Sequence, residues 1–328
     1  FVFRRRSAFF WSVSPHFLFN ETALTEIYTL SLHDALPIFA AYFDALPFYC
    51  LMVNFFLSYL SIDLEDVRLA LKGHGTQILG ITLIKLVLLP VLLYFLFYFL
   101  APQYALSALL LTGVSAGVVS PMISNMVRGN SSLVLVVVVV TSLLAPFSLP
   151  ALVKFIAAKD LAISFPAMLK MLATVIFIPI LLVELIRYLM PKLVGPVLKV
   201  RYPVSLAMFG VINLGVFHRY ASFFRQDPLV IVMAIIVVFI LASVFCAVGI
   251  LFFRKSSLEN QLAGAVMMGN INNVLVIVFA SQFFGPVEPL VAAMYMIPFF
   301  VLVIPLRYYH HRKTKKPDRQ GEGRQTIS

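Results

Sequence analysis

After residue 38, apolar runs of about 20 residues follow one another almost without a break, and this constrains the fold more than any motif does. They lie near 39–62, 76–100, 104–127, 131–157, 166–188, 202–217, 229–253, 262–283 and 290–306. A helix that crosses a bilayer needs about 20 apolar residues, so the chain reads as nine spans. Composition agrees: 61% of residues are hydrophobic, 12% are charged, and the mean hydropathy is +0.98. Soluble domains sit near half apolar and about a quarter charged. A soluble one-core enzyme, a secreted disulfide scaffold and a disordered chain are therefore excluded. Backbone groups in hydrocarbon must bond internally, which makes helices the default, and no long alternating pattern argues for a barrel. The expected class is an all-α membrane protein.

The net charge of +11 would suggest nucleic acid in a soluble chain, but here its location decides its meaning. With the C-terminus inside, one side holds Arg68, Lys72, Arg128, Arg187, Lys192, Lys199, Arg201, Arg254, Lys255 and the basic tail 307–328. The other side holds only Lys154, Lys159, Arg219 and Arg225. Lys and Arg concentrate on the cytoplasmic face, so the tail is expected in the cytoplasm of a multi-pass protein, in a bacterial inner membrane. The excess then meets anionic lipid rather than nucleic acid. Cys50 and Cys246 lie inside apolar runs and read as reduced packing residues.

Residues 1–38 are different: polar, basic and without helical periodicity. The stretch Tyr28–Ile38 resembles translated sequencing-adapter text. The expectation is a non-native N-terminus standing in place of a first helix, with a divergent amphipathic leader as the alternative.

Two runs make poor simple helices. The third carries Gly113, Ser115, Gly117, Ser120, Pro121, Ser124 and Asn125 in its second half, and the eighth carries Gly264, Gly269, Asn270, Asn272 and Asn273. Irregular backbone survives in a membrane only where it lines a cavity or packs on protein. Counting a missing first helix, each broken run is the fourth of a five-helix unit, and the two units start on opposite sides. That is the arrangement of inverted-repeat transporters with broken crossing helices.

Leu51–Val67, with Asn54, Asp63 and Glu65, resembles the second helix and following loop of the bile acid:sodium symporter family. Arg128-Gly129-Asn130 leading to Thr141–Pro146 is similar to that family's fourth-to-fifth helix junction. Gly269, Asn272 and Leu275 fit its broken ninth helix, which is followed by the helix containing Tyr295. The resemblance covers roughly 39–306. It implies ten helices, with panel helices here within 39–62 and 163–220 and core helices within 76–157 and 226–306. It also implies an organic anion bound between the two domains and two sodium ions where the broken helices cross.

Carried over by position, the sodium sites lose their ligands. The family's acidic residue is Met267 here, its ninth-helix glutamine is Ile271, and its fifth-helix hydroxyls are Val134 and Val138. Ser120 survives, and backbone carbonyls of Met268 and Asn270 remain. Sodium wants oxygen ligands, by the logic that governs calcium and magnesium, so bound sodium is in question. No other cofactor is implied. The family's third-helix glutamine aligns with Lys85, five residues before Pro90. Lys85 sits about 14 Å deep at 1.5 Å per residue, where a lysine costs at least ~2.5–3.5 kcal/mol. The expectation is that its ammonium takes the place of a sodium ion, with a proton available as coupling ion. The alternative is a lysine paired with a neighbour or snorkelling.

Asn272, Asn273, Ser120, Ser124 and Asn125 are the candidate substrate contacts, with helix capping as the alternative for the asparagines. Asn54 and Asn213 are expected to line the panel or to hold helices together. Lys170 is expected to snorkel, and Glu184 with Arg187 to form a surface pair at most. There is no phosphate-binding glycine loop, no His-Glu-x-x-His and no serine-glycine elbow, and no metal site is expected. The sequence therefore points to a secondary transporter of a small organic anion. An intramembrane enzyme and a non-transporting sensor or scaffold are its rivals.

Overall fold

The computed structural model describes residues 46–314 apart from 63, 158–163 and 227. The expectations for residues 1–38 and for the end of the basic tail lie outside the described residues. Within them the protein is all-α, and an isolated antiparallel bridge between Ala116 and Ile271 takes the place of any sheet. Six helices are long and apolar enough to cross a membrane, and Leu46–Leu60 and Asn273–Phe283 are shorter apolar helices.

Helix α1 spans Leu46–Leu60. Helices α2 (Leu64–Leu83) and α3 (Leu89–Leu100) are joined by a π-helical turn at Ile84–Leu88. In that turn the Leu89 N–H bonds back to Ile84 O. Pro90 follows at once, and a proline cannot donate to the carbonyl one turn earlier. The wide turn thus sits where the regular ladder must fail in any case. The two halves of the first broken run are α4 (Ala105–Gly113) and α5 (Ser120–Met126). Asn130 opens α6 (Ser131–Leu152), its Oδ1 accepting from Leu133 N at 3.1 Å. Ser164 opens α7 (Phe165–Leu189) in the same way, as side-chain caps do. Then come α8 (Pro191–Gln226) and α9 (Pro228–Phe252).

The second broken run is α10 (Leu258–Gly269) and α11 (Asn273–Phe283). The chain ends in α12 (Val287–Met294), α13 (Met296–Val301) and α14 (Val303–Thr314). Helix α1 packs on α7 and α8, whereas α2 packs on α6, α3 on α4, and α9 on α10 and α12. Gly249 and Gly264 lie backbone to backbone where α9 meets α10, the close approach that small residues allow between membrane helices. Leucine and phenylalanine side chains such as Leu92, Leu96 and Phe99 remain exposed on α3. In a membrane protein these are lipid-facing surface, not an error of packing.

Candidate functional site

The two helix breaks meet. Helix α4 stops at Gly113 and α10 at Gly269, and their extended continuations run past each other in antiparallel fashion. Gly117 N donates to Asn270 O at 2.7 Å, and Asn272 N donates to Ser115 O at 3.0 Å. Unwinding frees backbone groups that hydrocarbon cannot satisfy, and each strand answers the other's. The approach is close enough to dictate a glycine: a Cβ on Gly117 would lie 2.9 Å from Ile271 O.

Side chains complete the set. Ser120 Oγ also donates to Asn270 O, at 2.9 Å. Thr141 on α6 accepts from Ala116 N at 3.1 Å and donates to Val137 O at 2.6 Å. Tyr295, fully buried, donates to Gly269 O at 2.7 Å, and Asn270 Nδ2 donates to Phe299 O at 3.2 Å.

Lys85 reaches the same place from the π-helical turn. It is 1% exposed, and its Nζ donates to Met268 O at 3.3 Å. Within the helical span Gly73–Leu100 it lies about 18 Å from one end at 1.5 Å per residue, so it cannot snorkel. Among the described residues no carboxylate pairs with Lys85. Its compensation is the end of α10, whose carbonyls lack intrahelical partners and carry roughly half a negative charge. Thr82 Oγ1, one turn before Lys85, and Ser115 Oγ in the crossing are buried without a hydrogen-bond partner.

The other expected site residues divide. Met267, Met268, Asn270 and Ile271 are buried at or beside the crossing, and Val134 is buried on α6. Val138 is buried on α6, one turn beyond Val134, and faces a cleft. Asn272 acts as the N-cap of α11, its Oδ1 accepting from Leu275 N at 3.3 Å. Asn273, its neighbour, is buried as well. Ser124 is buried without a partner for its hydroxyl, and Asn125 is exposed. Asn213 donates to Phe209 O in its own helix at 2.8 Å. Lys170 is exposed.

A small, partly open cleft lies between α1 and α7 on one side and α6 on the other. Phe55, Ser58, Tyr59 and Ile62 line it with Ile176, Ile180, Val139, Ser142 and Leu143, and Val118 brings the crossing to its wall. The five expected substrate contacts are not among the lining residues. A cleft of largely apolar side chains offers no polar pattern to read, which is why the sequence did not point to it.

Arg187 corrects a further expectation. It is more than half of a surface pair: beside Glu184 Oε1 at 3.1 Å, it donates to Leu60 O at 3.2 Å and Ile62 O at 2.6 Å. Its guanidinium also stands 6.0 Å from the Tyr59 ring centroid. A forked cation on the last carbonyls of α1 satisfies groups the helix leaves open. It thereby clasps α1 to α7 beside the cleft.

The model of the family described as the Sodium Bile acid symporter family matches residues 48–227, more than half of the chain. The match takes in Lys85, the first break and the lining of the cleft, and stops before α10. No curated protein matches the chain. An all-α, multi-pass membrane chain with its breaks crossed beside a cleft, matched over this length, belongs to the sodium bile acid symporter family of membrane transporters.

Proposed function

We propose that the protein is a secondary transporter that carries a small organic anion across the membrane by alternating access. The observation that supports this best is the cleft between α1–α7 and α6, with the crossing at its wall. Helices α1, α7 and α8 then form the panel, and the remaining elements form the core that moves against it. Apolar walls with Ser58, Tyr59 and Ser142 as polar points suit an amphipathic anion. Asn272 and Asn273, at the start of α11, put a helix N-terminus and its partial positive charge within the core. They, with Ser120, Ser124 and Asn125, are proposed to meet the anionic group as the cleft deepens during the cycle. The basic tail lies in the cytoplasm against anionic lipid, the membrane is a bacterial plasma membrane, and a proton serves as coupling ion.

The test is reconstitution in proteoliposomes with labelled cholate and a set of smaller carboxylates and sulfonates. Saturable accumulation inside the vesicles is the expected result. Chemical conversion of the anion without accumulation would point to an enzyme, and absence of both to a sensor or scaffold.

A further inference from the structure

We propose that Lys85 is a resident cation of the helix crossing, so that this carrier works without bound sodium. The inference rests on the transporter reading and concerns how the same site is charged. Membership of the family implies sodium between the broken helices, and the residues present do not fit it. A hard cation needs oxygen ligands. Val134, Val138, Met267 and Ile271, which occupy the expected ligand positions, have side chains without oxygen and are each at most 2% exposed. The hydroxyls that remain nearby, Ser120 on Asn270 O and the unpartnered Ser115 and Thr82, are neutral, and no ion pair with a carboxylate stands at the crossing among the described residues.

The backbone at the end of α10 offers carbonyls as well, and these oxygens already have donors. Met268 O accepts from Lys85 Nζ at 3.3 Å, and Gly269 O from Tyr295 at 2.7 Å. Asn270 O accepts from Gly117 N at 2.7 Å and from Ser120 Oγ at 2.9 Å. A sodium ion would have to break several of these bonds with nothing to repair them. It would also sit beside an ammonium, and like charges at such range repel strongly where water is excluded. The ammonium supplies what the ion would: positive charge at the negative end of a half-helix. A buried lysine at mid-membrane without a carboxylate partner is costly, and this position gives it a role that offsets the cost.

The experiment uses the full chain, in detergent and in proteoliposomes, with sodium chloride compared to potassium chloride at equal ionic strength. A ligand that binds the folded state raises the melting temperature, so the expected result is the same melting temperature in both salts. Uptake of the anion found in the reconstitution is expected to agree within about twofold, far below a typical coupling of about 5–150-fold. A sodium-specific rise in either quantity overturns the proposal. Lys85→Met supplies a second reading, because an apolar chain of similar length in place of a buried charge is neutral or stabilising. It is expected to melt at or above the wild-type temperature and to lose uptake on the order of tenfold or more. Undiminished uptake by Lys85→Met overturns the proposal too. Failure of all flux in every salt counts against the carrier reading, while the melting comparison still decides the question of sodium.

Discussion

The Tyr295 hydroxyl donates to the carbonyl oxygen of Gly269 at 2.7 Å, in a setting from which solvent is wholly excluded. The pair ties α12 to the end of α10 and satisfies an oxygen that the helix break sets loose. Tyr295→Phe removes the donor and nothing else. The cost of leaving a buried acceptor unpaired is about 1–3 kcal/mol, and it should appear as a lower melting temperature in detergent. Unchanged melting would show that the oxygen finds another donor.

Gly117→Ala tests the crossing by size instead of polarity. Its new Cβ would meet Ile271 O at 2.9 Å and Asn270 O at 3.1 Å, both of them backbone atoms. Overpacking of this kind costs about 1–3 kcal/mol, and transport should fall with it. Gly195→Ala is the matched control, because nothing lies within 4 Å of that position. Equal effects of the two substitutions would refute the close contact.

Arg187→Ala should release the end of α1 from α7 and loosen the neighbouring wall of the cleft. Three hydrogen bonds go with the guanidinium, two of them to carbonyls that end a helix. The guanidinium is partly exposed, so the expected loss of stability is small, on the order of 1 kcal/mol. The informative readout is a raised half-saturation concentration for uptake. Arg187→Lys should restore little of it, since one ammonium cannot fork to Glu184 and to both carbonyls. Full recovery with lysine would mean that charge alone matters there.

Lys85→Arg separates charge from proton exchange. A guanidinium keeps its proton at every accessible pH, whereas an amine is able to exchange one. Tyr295 and Cys246 are the other titratable side chains near this end of α10, and both are neutral when protonated. With acid outside, uptake by the wild-type protein should accelerate, as the proposed proton coupling requires. Lys85→Arg should transport, if at all, without that response. A pH gradient that drives the arginine variant equally well would remove lysine from the coupling step.

These residues differ in how far the sequence announced them. The two breaks were legible because glycine, serine and asparagine inside a 20-residue apolar run have one physical explanation: backbone that leaves the helix and must be answered by protein. Lys85 was legible for a related reason, since a charge at that depth is too costly to be incidental. Asn272 was ambiguous in the sequence, and its place at the start of α11 makes it a cap. Arg187 was misjudged because its partners, the carbonyls of Leu60 and Ile62, lie more than 120 residues away and carry no side-chain signature. Thr141 could have been found as the hydroxyl that ends the valine run of α6, but its bond to Ala116 depends on how α6 lies against the break. The cleft left no trace, because apolar residues facing a cavity and apolar residues facing lipid look the same in one dimension.

The π-helical turn at Ile84–Leu88 has a consequence for how such a protein could change. A turn of this kind holds one residue more than the regular helix around it. Deleting that one residue would let the helix close up with its two flanks still in register, because the wide turn had already absorbed it. The direction in which the turn itself aims the Lys85 amine would change, with no change to any residue of the crossing. The aim of a built-in charge is thus set by the length of one helical turn as well as by which side chain carries it.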